Sequence, residues 1–431
     1  MGVAPAASSA LLGTTIALSA PLVRQDSSHV SKSVKASDER VPFAHSAPHT
    51  GSTSAPLTSA EVAVELRGVS KQFGEVRVLR ELNLAVQRGE ILALLGPSGS
   101  GKSTVLNLIA GFFPPDEGHI LLDGELVDAV PTYRRNLGMV FQSYSLFPHM
   151  NVFDNVAFGL TVRRLSPEAV RERVSRALDL VRLQHLAERF PAQLSGGQQQ
   201  RIAVARALVV NPRVLLCDEP LSNLDAKLRK ELQVELRRIQ RDTGITMIYV
   251  THDQEEAVTL ADRIGLLDNG TLEQLGDPHT VFEFPRTRFV AEFMGYANVF
   301  VGEIVGRRSD HIMIQLEDGP QLLADAPVSS DDSSRVAVCI REERIGVGPA
   351  DTSSDPSAGL ALDSIGHSVV LGRIETITYT GLSLMLVVRH SDRLAVRVRL
   401  PIHDFATSPY AVGSSVRLTL PRQHLRVIPG Q

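Results

Sequence analysis

The sequence predicts an α/β domain with a helical subdomain, followed by a small all-β domain. From about residue 60, short apolar segments alternate with segments whose apolar residues recur at helical spacing, which is typical of α/β folds. Beyond about residue 297 this spacing is lost, and apolar and polar residues alternate in HIMIQL, RLAVRVRL and VRLTL. Turn residues separate these short strands, so we expect an OB-like or barrel-like domain.

The first 59 residues differ in composition from the rest of the chain. They are rich in Ala, Ser, Pro and Thr and contain few large apolar side chains, so they cannot offset the entropy of ordering. We predict a disordered extension over residues 1–59. A signal peptide is the alternative, because residues 11–18 are mildly apolar, but no Lys or Arg precedes Arg24 to form its charged start.

The α/β domain is predicted to span residues 60–296 and the all-β domain residues 297–431. The apolar strand ILALL at 91–95 leads into a glycine-rich loop and then into the helical pattern TVLNLIAGF. Further along, Ser166, Pro167 and Glu168 form an N-cap, a first-turn proline and an acid that suits the helix dipole. The helix that they open, through about Leu183, indicates a helical subdomain at about residues 143–200.

Composition argues against several functions. The 431 residues include 44 Lys and Arg against 48 Asp and Glu, a net charge of −4, and offer no overall basic field to attract nucleic acid. We therefore predict no nucleic-acid partner. The two cysteines, Cys217 and Cys339, favour a reducing compartment over a disulfide scaffold or a Cys-based zinc site. No apolar run reaches the roughly 18 residues that span a bilayer.

A phosphate-binding loop follows the strand at 91–95. The segment fits the pattern G-x-x-x-x-G-K-[ST] between a predicted strand and a predicted helix, which indicates a P-loop NTPase. Glycines let successive backbone N–H groups turn toward a phosphate, Lys102 reaches the terminal phosphates, and the Ser103 hydroxyl ligates Mg²⁺. In this context a plain flexible loop is a poor alternative. The residues are Gly96, Pro97, Ser98, Gly99, Ser100, Gly101, Lys102 and Ser103.

Two further apolar strands end in groups that suit the same site. The strand VLLCD ends in Asp218 and Glu219, and we expect Asp218 to hold hydrated Mg²⁺ and Glu219 to take a proton from the attacking water. Solvated acids at a strand end are the alternative. The strand at 245–250 ends before His252, which can donate to a γ-phosphate or to the attacking water. A lone histidine is usually structural. The functional hypothesis for His252 therefore depends on its position at a strand end next to the other candidate groups.

A second glycine-lined helix start occurs in LSGGQ. Ser195 is predicted as the N-cap of the helical run that follows, which makes a second anion site without a lysine of its own. A single phosphate tail cannot easily be held by two distant helix starts of one chain. Sharing the tail with a second copy of the chain would resolve this difficulty.

Six segments together resemble one protein family. In chain order they are GPSGSGKST, VFQSYSLFPHM, LSGGQQQR, VLLCDEP, LSNLD and THDQEEA. They resemble the nucleotide-binding subunits of ABC transporters, and the similarity extends over about residues 60–431. The all-β segment, with Tyr379-Thr380-Gly381, resembles the accessory TOBE-like domain of bacterial importer ATPases. Relatives usually have Arg-Pro-Glu where this chain has Arg341-Glu342-Glu343.

The resemblance implies roles for specific residues. Phe73 would stack on adenine, although a core ring is the alternative; Gln142 would meet Mg²⁺ and the attacking water. The loop from Gln142 to Met150 would face a membrane permease subunit, and Asp225 would lie at the contact between two copies. ATP would be bound by a larger set: Phe73, the P-loop residues together with Thr104, and Ser195, Gly196, Gly197, Gln198 and Asp225.

The resemblance also implies a function. We expect the ATP-hydrolysing subunit of a bacterial ABC importer, a head-to-tail homodimer at the cytoplasmic face of the inner membrane, acting indirectly with a solute-binding protein. The segments FQSYSLFPHM and GYANVF look most like those of polyamine importers. Iron and sulfate importers are close relatives. The alternative is a soluble ABC-type ATPase of translation or DNA repair, yet the sequence has one cassette and neither coiled coil nor zinc module. A small-ligand sensor built on the β domain is a third possibility.

Overall fold

A computed structural model describes residues 61–325, 334–350, 362–363, 366–402 and 410–430. The predicted extension over residues 1–59 lies outside the described residues. The described chain divides into an α/β part and an all-β part, which confirms the predicted fold class.

Ten strands precede residue 277 and form two sheets in the described chain. A four-stranded antiparallel sheet has the order β2-β1-β4-β5, and a six-stranded sheet has the order β10-β9-β3-β8-β7-β6. In the second sheet β9, β3, β8, β7 and β6 run parallel, and β10 is an antiparallel edge. The strands are β1 Val62–Phe73, β2 Val76–Gln87, β3 Ile91–Leu95, β4 Glu117–Leu122, β5 Glu125–Leu126, β6 Leu137–Val140, β7 Val214–Asp218, β8 Thr246–Val250, β9 Arg263–Asp268 and β10 Thr271–Gly276.

Helices cover both faces of the six-stranded sheet. Every residue of β3 and β8 is buried, which explains why both strands are continuous apolar segments in the sequence. None of the helices after residue 60 combines the length and apolar character that a membrane span needs. They are α1 Lys102–Ala110, α2 Val152–Val162, α3 Pro167–Leu180, α4 Gly196–Leu208, α5 Ala226–Thr243, α6 Gln254–Leu260, α7 Pro278–Glu283 and α8 Arg288–Phe293.

Residues 143–200, predicted as a helical subdomain, contain α2, α3 and the start of α4. Their apolar faces share one core with α5 and with one face of the six-stranded sheet. Helix α3 begins as predicted, because the Ser166 side chain accepts a hydrogen bond from the Ala169 N–H and Pro167 occupies the first turn. It ends at Leu180, three residues before the predicted Leu183, because Arg182 adopts a left-handed backbone conformation with φ of +58°.

The all-β part contains two five-stranded antiparallel sheets over one apolar core. The first sheet has the order β13-β12-β11-β14-β20, and the second has the order β15-β19-β16-β17-β18. The strands are β11 Asn298–Arg307, β12 His311–Leu316, β13 Gln321–Asp325, β14 Arg335–Ile340, β15 Gly346–Pro349, β16 Ser368–Tyr379, β17 Ser383–Arg389, β18 Ala395–Pro401, β19 Ser415–Leu420 and β20 Arg426–Pro429.

Arg341 joins the two parts. It follows β14, is only 5% exposed, and lies between the rings of Phe282 and Tyr296, with its guanidinium carbon 3.4 Å and 4.3 Å from their centroids. Its Nη2 donates to the carbonyl oxygens of Phe282 at 2.8 Å and Met294 at 3.0 Å. Stacking and the two hydrogen bonds offset much of the cost of burying this charge, although Nε of Arg341 is buried without a hydrogen-bond partner among the described residues.

Candidate functional site

The predicted site residues follow four neighbouring parallel strands. Strands β3, β8, β7 and β6 are adjacent in that order, so their carboxyl ends meet at one edge of the sheet. Leu94 pairs with Val250, and Val250 pairs with Asp218, which places the ends of three strands level with one another. This edge, where ligands bind in open α/β sheets, carries the P-loop, Gln142, the Asp218–Glu219 pair and His252.

The P-loop needs glycine at two positions for steric reasons. Gly96 has φ of +149°, and a Cβ there would lie 2.2 Å from the carbonyl oxygen of Leu267. Gly101 has φ of +103°, and its Cβ would lie 2.7 Å from Cδ2 of Leu79. Any side chain at these two positions would therefore distort the loop that precedes α1, where backbone N–H groups can bind a phosphate.

Lys102 holds a positive charge inside this loop. Its side chain is buried, and its Nζ donates to the carbonyl oxygens of Gly96 and Pro97, both at 2.8 Å, and to Ser100 Oγ at 3.4 Å. Burial lowers the pKa of the Lys102 ammonium, while the nearby carboxylates of Glu219 and Asp218 oppose that shift. A phosphate brought into the loop would supply the negative charge that a buried ammonium needs.

Ser103 and Asp218, which are 115 residues apart in sequence, bring together two oxygen atoms that could bind a metal ion. The Ser103 hydroxyl donates to Oδ1 of Asp218 at 3.0 Å. Burial raises the pKa of the Asp218 carboxyl, and the hydrogen bond from Ser103 opposes this. In the described ranges, no group of three or more His, Cys, Asp or Glu residues is arranged to hold a metal ion by itself. One carboxylate with one hydroxyl fits Mg²⁺, which keeps several waters and takes further ligands from substrate phosphates.

Glu219 lies beside His252. Oε1 of Glu219 is 3.3 Å from Nδ1 of His252, and the imidazole is the more exposed partner, with 60% of its side chain accessible against 25% for Glu219. The Glu219 backbone has φ of +44°, a left-handed conformation unusual for a residue with a side chain. Its N–H donates to the Val250 carbonyl oxygen at 3.0 Å, which holds this conformation at the end of β8.

Gln142 is held next to the same acid by two residues that the sequence analysis did not assign. Gln142 Nε2 donates to Ser222 Oγ at 3.2 Å, and this hydroxyl donates to the Glu219 carbonyl oxygen at 3.0 Å. Asn223 Nδ2 donates to the Gln142 carbonyl oxygen at 3.0 Å. The only signal in the sequence was the polar pair within LSNLD, directly after the strand that ends in Asp218.

The second glycine-lined helix start has the predicted cap. Ser195 Oγ accepts from the Gln198 N–H at 3.4 Å, and Gln198 Oε1 accepts from the Ser195 N–H at 2.9 Å. The added Cβ of Gly197 would lie 2.9 Å from both methyl carbons of Leu228, so glycine allows close approach to α5. Across the described ranges, no hydrogen bond or ion pair joins this helix start to the P-loop. Asp225 caps α5, accepting from the Leu228 N–H at 3.0 Å.

Phe73 is not a core residue. It ends β1, is 45% exposed, and meets the ring of Phe113 edge to face, with centroids 5.2 Å apart. The ammonium of Lys71 lies 5.5 Å from both ring centroids and pairs with Asp116 at 2.7 Å. An accessible ring fixed by a second aromatic can stack on a planar base. Phe113 and Lys71 had no distinguishing pattern in the sequence.

Two family models match the chain. The model described as ABC transporter matches residues 79–222, which include the P-loop, Gln142, Ser195 and Glu219. The model described as TOBE domain matches residues 338–428 in the all-β part.

Curated relatives match most of the chain. The spermidine/putrescine import ATP-binding protein PotA of Haemophilus influenzae is 45% identical over 337 residues, covering 78% of this chain and 87% of that protein. The protein of the same name from Rubrobacter xylanophilus is 41% identical over 374 residues, covering 86% and 94%. Identity at this level over nearly the whole length of these relatives, together with the site geometry, places the chain in the family of ABC transporter ATP-binding proteins.

Proposed function

We propose that Glu219 is the general base in the ATP hydrolysis of this ABC-family chain. The observation that carries the proposal is the meeting of Lys102, Asp218, Glu219, His252 and Gln142 at the ends of four adjacent strands. Glu219 would accept the proton of the attacking water, and Gln142, held through Ser222, would orient that water. His252 would donate a hydrogen bond to the γ-phosphate while its Nδ1 side faces Glu219.

We infer that ATP binds with Mg²⁺ at this edge. The P-loop N–H groups and Lys102 would hold the β- and γ-phosphates, with the remaining P-loop residues and Thr104 around them. Ser103 and Asp218 would hold the metal, with Gln142 near it, and the exposed face of Phe73 would receive the adenine. Bound Mg²⁺ neutralises charge that develops on the phosphate oxygens.

We also propose that two copies of the chain share each ATP. Gly196 and the exposed side of Ser195 form an anion-binding helix start that bonds to no residue of its own chain's P-loop within the described ranges. In a head-to-tail dimer this helix start would close the ATP site of the second copy, and Asp225 would lie at the contact. Each complete site would then contain one lysine and two helix starts.

The loop from Gln142 to Met150 is our candidate for contact with a membrane permease subunit. A groove of about 400 Å³ runs beside it and is lined by the rings of Phe147 and Phe158, which are 4.7 Å apart between centroids and tilted by 48° to one another. Arg206 donates to the carbonyl oxygens of Ser145 at 2.7 Å and Tyr144 at 2.9 Å, and so anchors the loop to α4. An apolar groove next to the Gln142 backbone would couple a bound helix of the partner directly to the ATP site.

The transported solute is proposed from the relatives. Both proteins named above are described as import ATP-binding proteins for spermidine and putrescine. We propose the same solute class here, with import through separate permease subunits, a solute-binding protein acting on them, and a peripheral position at the cytoplasmic face of the membrane. A soluble ABC-type ATPase gains no support from these relatives.

Uptake by membrane vesicles that contain the complete transporter tests this proposal. The vesicles would be offered radiolabelled putrescine, spermidine, ferric iron and sulfate, with ATP inside or outside as orientation requires. We expect uptake of the two polyamines alone, and none with the Glu219→Gln variant as the matched control. Uptake of iron or sulfate without polyamine would overturn the solute assignment, and uptake unaffected by Glu219→Gln would overturn the role of this chain.

A further inference from the structure

A cavity of about 700 Å³ lies at the opposite edge of the six-stranded sheet from the ATP site. Arg213, directly before β7, and Thr246, the first residue of β8, both line it, so it adjoins the amino ends of these strands. The other wall comes from α3 of the helical subdomain. Its volume is typical of sites for small organic ligands, and none of the ATP-site residues takes part.

Arginine dominates the polar lining of this cavity. Arg173 and Arg176 stand on α3, Arg88 lies in the turn between β2 and β3, and Arg213 precedes β7. Among the described residues, no Asp or Glu belongs to the lining. Four arginines from three separate elements thus line one open cavity, and each guanidinium can hold a phosphate or carboxylate through paired N–H groups.

These arginines retain donors for a ligand. Arg88 pairs with Asp123 through Nη2 at 2.5 Å, Arg176 with Glu172 through Nη2 at 2.7 Å, and Arg213 with Glu125 through Nη1 at 2.8 Å. Arg213 also lies 3.7 Å from Asp123. Each pair is at least partly exposed and engages only part of a group with five N–H donors, so exchange for a ligand costs little. Arg173 is exposed and has no hydrogen-bond or ion-pair partner within the described residues.

The floor of the cavity is apolar. Side chains from α3, from the end of α4 and from the segments before β7 and β8 form it, namely Ala177, Leu180, Leu208, Val209, Pro212 and Ile245. An inorganic anion would leave this surface uncovered. A ligand with an apolar or ring-shaped body would bury it while its charged groups reach the arginines.

We propose that this cavity binds a small organic bisphosphate, with the ring or apolar body on the floor and one phosphate toward each arginine-bearing wall. Each phosphate monoester carries about −1.5 to −2 at neutral pH, so one phosphate can pair with Arg173 and Arg176 on α3 and the other can replace the surface carboxylates at Arg88 and Arg213. A bound bisphosphate bridges the helical subdomain and the sheet and stabilises their relative position. The proposal does not depend on the solute transported.

Isothermal titration calorimetry on the full chain tests it, with a non-hydrolysable ATP analogue saturating the nucleotide site. The probe is guanosine 3′,5′-bisphosphate, and pyrophosphate is the comparison without a ring. We expect a Kd for the bisphosphate below about 100 µM, corresponding to a moderate small-molecule affinity, and binding of pyrophosphate at least about tenfold weaker. A bisphosphate that binds no better than about 1 mM would overturn the proposal, and the arginines would then serve only to offset the carbonyl ends of α4 and α5.

Two charge reversals on α3 locate the binding. Arg173→Glu should weaken the bisphosphate about tenfold or more, because it puts a repelling charge into the lining. Arg171→Glu is the matched control: Arg171 is exposed on the same helix, pairs with Glu168 at 3.5 Å and is absent from the lining. It should change the Kd by less than about twofold. Equal weakening by both variants would indicate attraction to general surface charge and would overturn a defined site. Arg176→Gln, which removes the positive charge but keeps a polar side chain of similar length, should also weaken binding and serves as a second check.

Discussion

Nδ1 of His252 lies 3.3 Å from Oε1 of Glu219, although the two residues end different strands. The backbone reinforces this contact, because the Glu219 N–H donates to the carbonyl oxygen of Val250, two residues before His252. The pairing of β7 with β8 therefore continues beyond the regular strands and fixes both candidate groups relative to one another. A change in one residue is expected to alter the orientation of the other.

The first prediction concerns the general base. Glu219→Gln should leave ATP affinity within about twofold and reduce the hydrolysis rate by about 10²–10⁴-fold, because the amide keeps the shape of the side chain but cannot accept the proton. Equilibrium binding of a fluorescent ATP analogue and phosphate release measure the two quantities. A normal hydrolysis rate in this variant would make His252 the next candidate for the base.

The second prediction separates the lysine from the metal donors. Lys102→Ala should weaken nucleotide binding at every Mg²⁺ concentration, since the buried ammonium is lost. Asp218→Asn should instead raise the Mg²⁺ concentration needed for half-maximal hydrolysis by about tenfold or more, because a charged metal contact is replaced by a neutral one. Titration of both variants with Mg²⁺ distinguishes the effects. An unchanged Mg²⁺ requirement in Asp218→Asn would contradict its assignment.

The third prediction concerns the shared site. In the proposed dimer, each ATP lies between the P-loop of one copy and Ser195 of the other, so Lys102→Ala and Ser195→Arg homodimers each have two damaged sites. A heterodimer of these two variants has both changes in one site and leaves the other intact. ATP occlusion, measured as nucleotide retained after rapid dilution, should therefore return in this heterodimer.

The control for the shared site places both changes on one chain. Paired with an unaltered chain, this double variant damages both sites of the heterodimer, and occlusion should stay low. Occlusion is the appropriate measurement because hydrolysis can require both sites together. Equal occlusion in the two purified heterodimers would mean that each chain completes its own site.

The fourth prediction concerns the joint between the two parts of the chain. Arg341→Ala should lower the free energy of unfolding by roughly 2–4 kcal/mol, because it removes a stacked side chain and leaves buried carbonyl groups without donors. Arg341→Lys should rescue only part of the loss, since an ammonium cannot stack on both rings. Urea unfolding measures both variants. Arg344→Ala is the control, because Arg344 is half exposed and lies 3.7 Å from Glu283; an equal loss there would contradict the prediction.

Local patterns sufficed to predict several parts of this structure. The P-loop between β3 and α1, the Ser195 cap of α4 and the start of α3 at Ser166 each depend on residues within a few positions of one another. For this reason their residue types and spacing indicate the structure directly.

Other features depend on contacts between segments that are distant in sequence, and no local sequence pattern predicts such contacts. Ser222 reaches Gln142 across 80 residues, and Phe113 meets Phe73 across the α1 segment. The end of α3 was predicted too late because Arg182 adopts a positive φ that its residue type does not favour. The position of Arg341 between two rings likewise arises only when the two parts of the chain pack together.

The central position of β3 in its sheet affects how the chain can fold while it is being synthesised. Its neighbours are β8 and β9, and the first of these begins about 150 residues later in the chain. At about 5–20 residues per second, the ribosome would deliver β8 roughly 10–30 s after β3. During that interval the five apolar residues of β3 have neither of their native neighbouring strands beside them, which leaves them open to non-native association. The nucleotide site can form only after most of the α/β part has emerged.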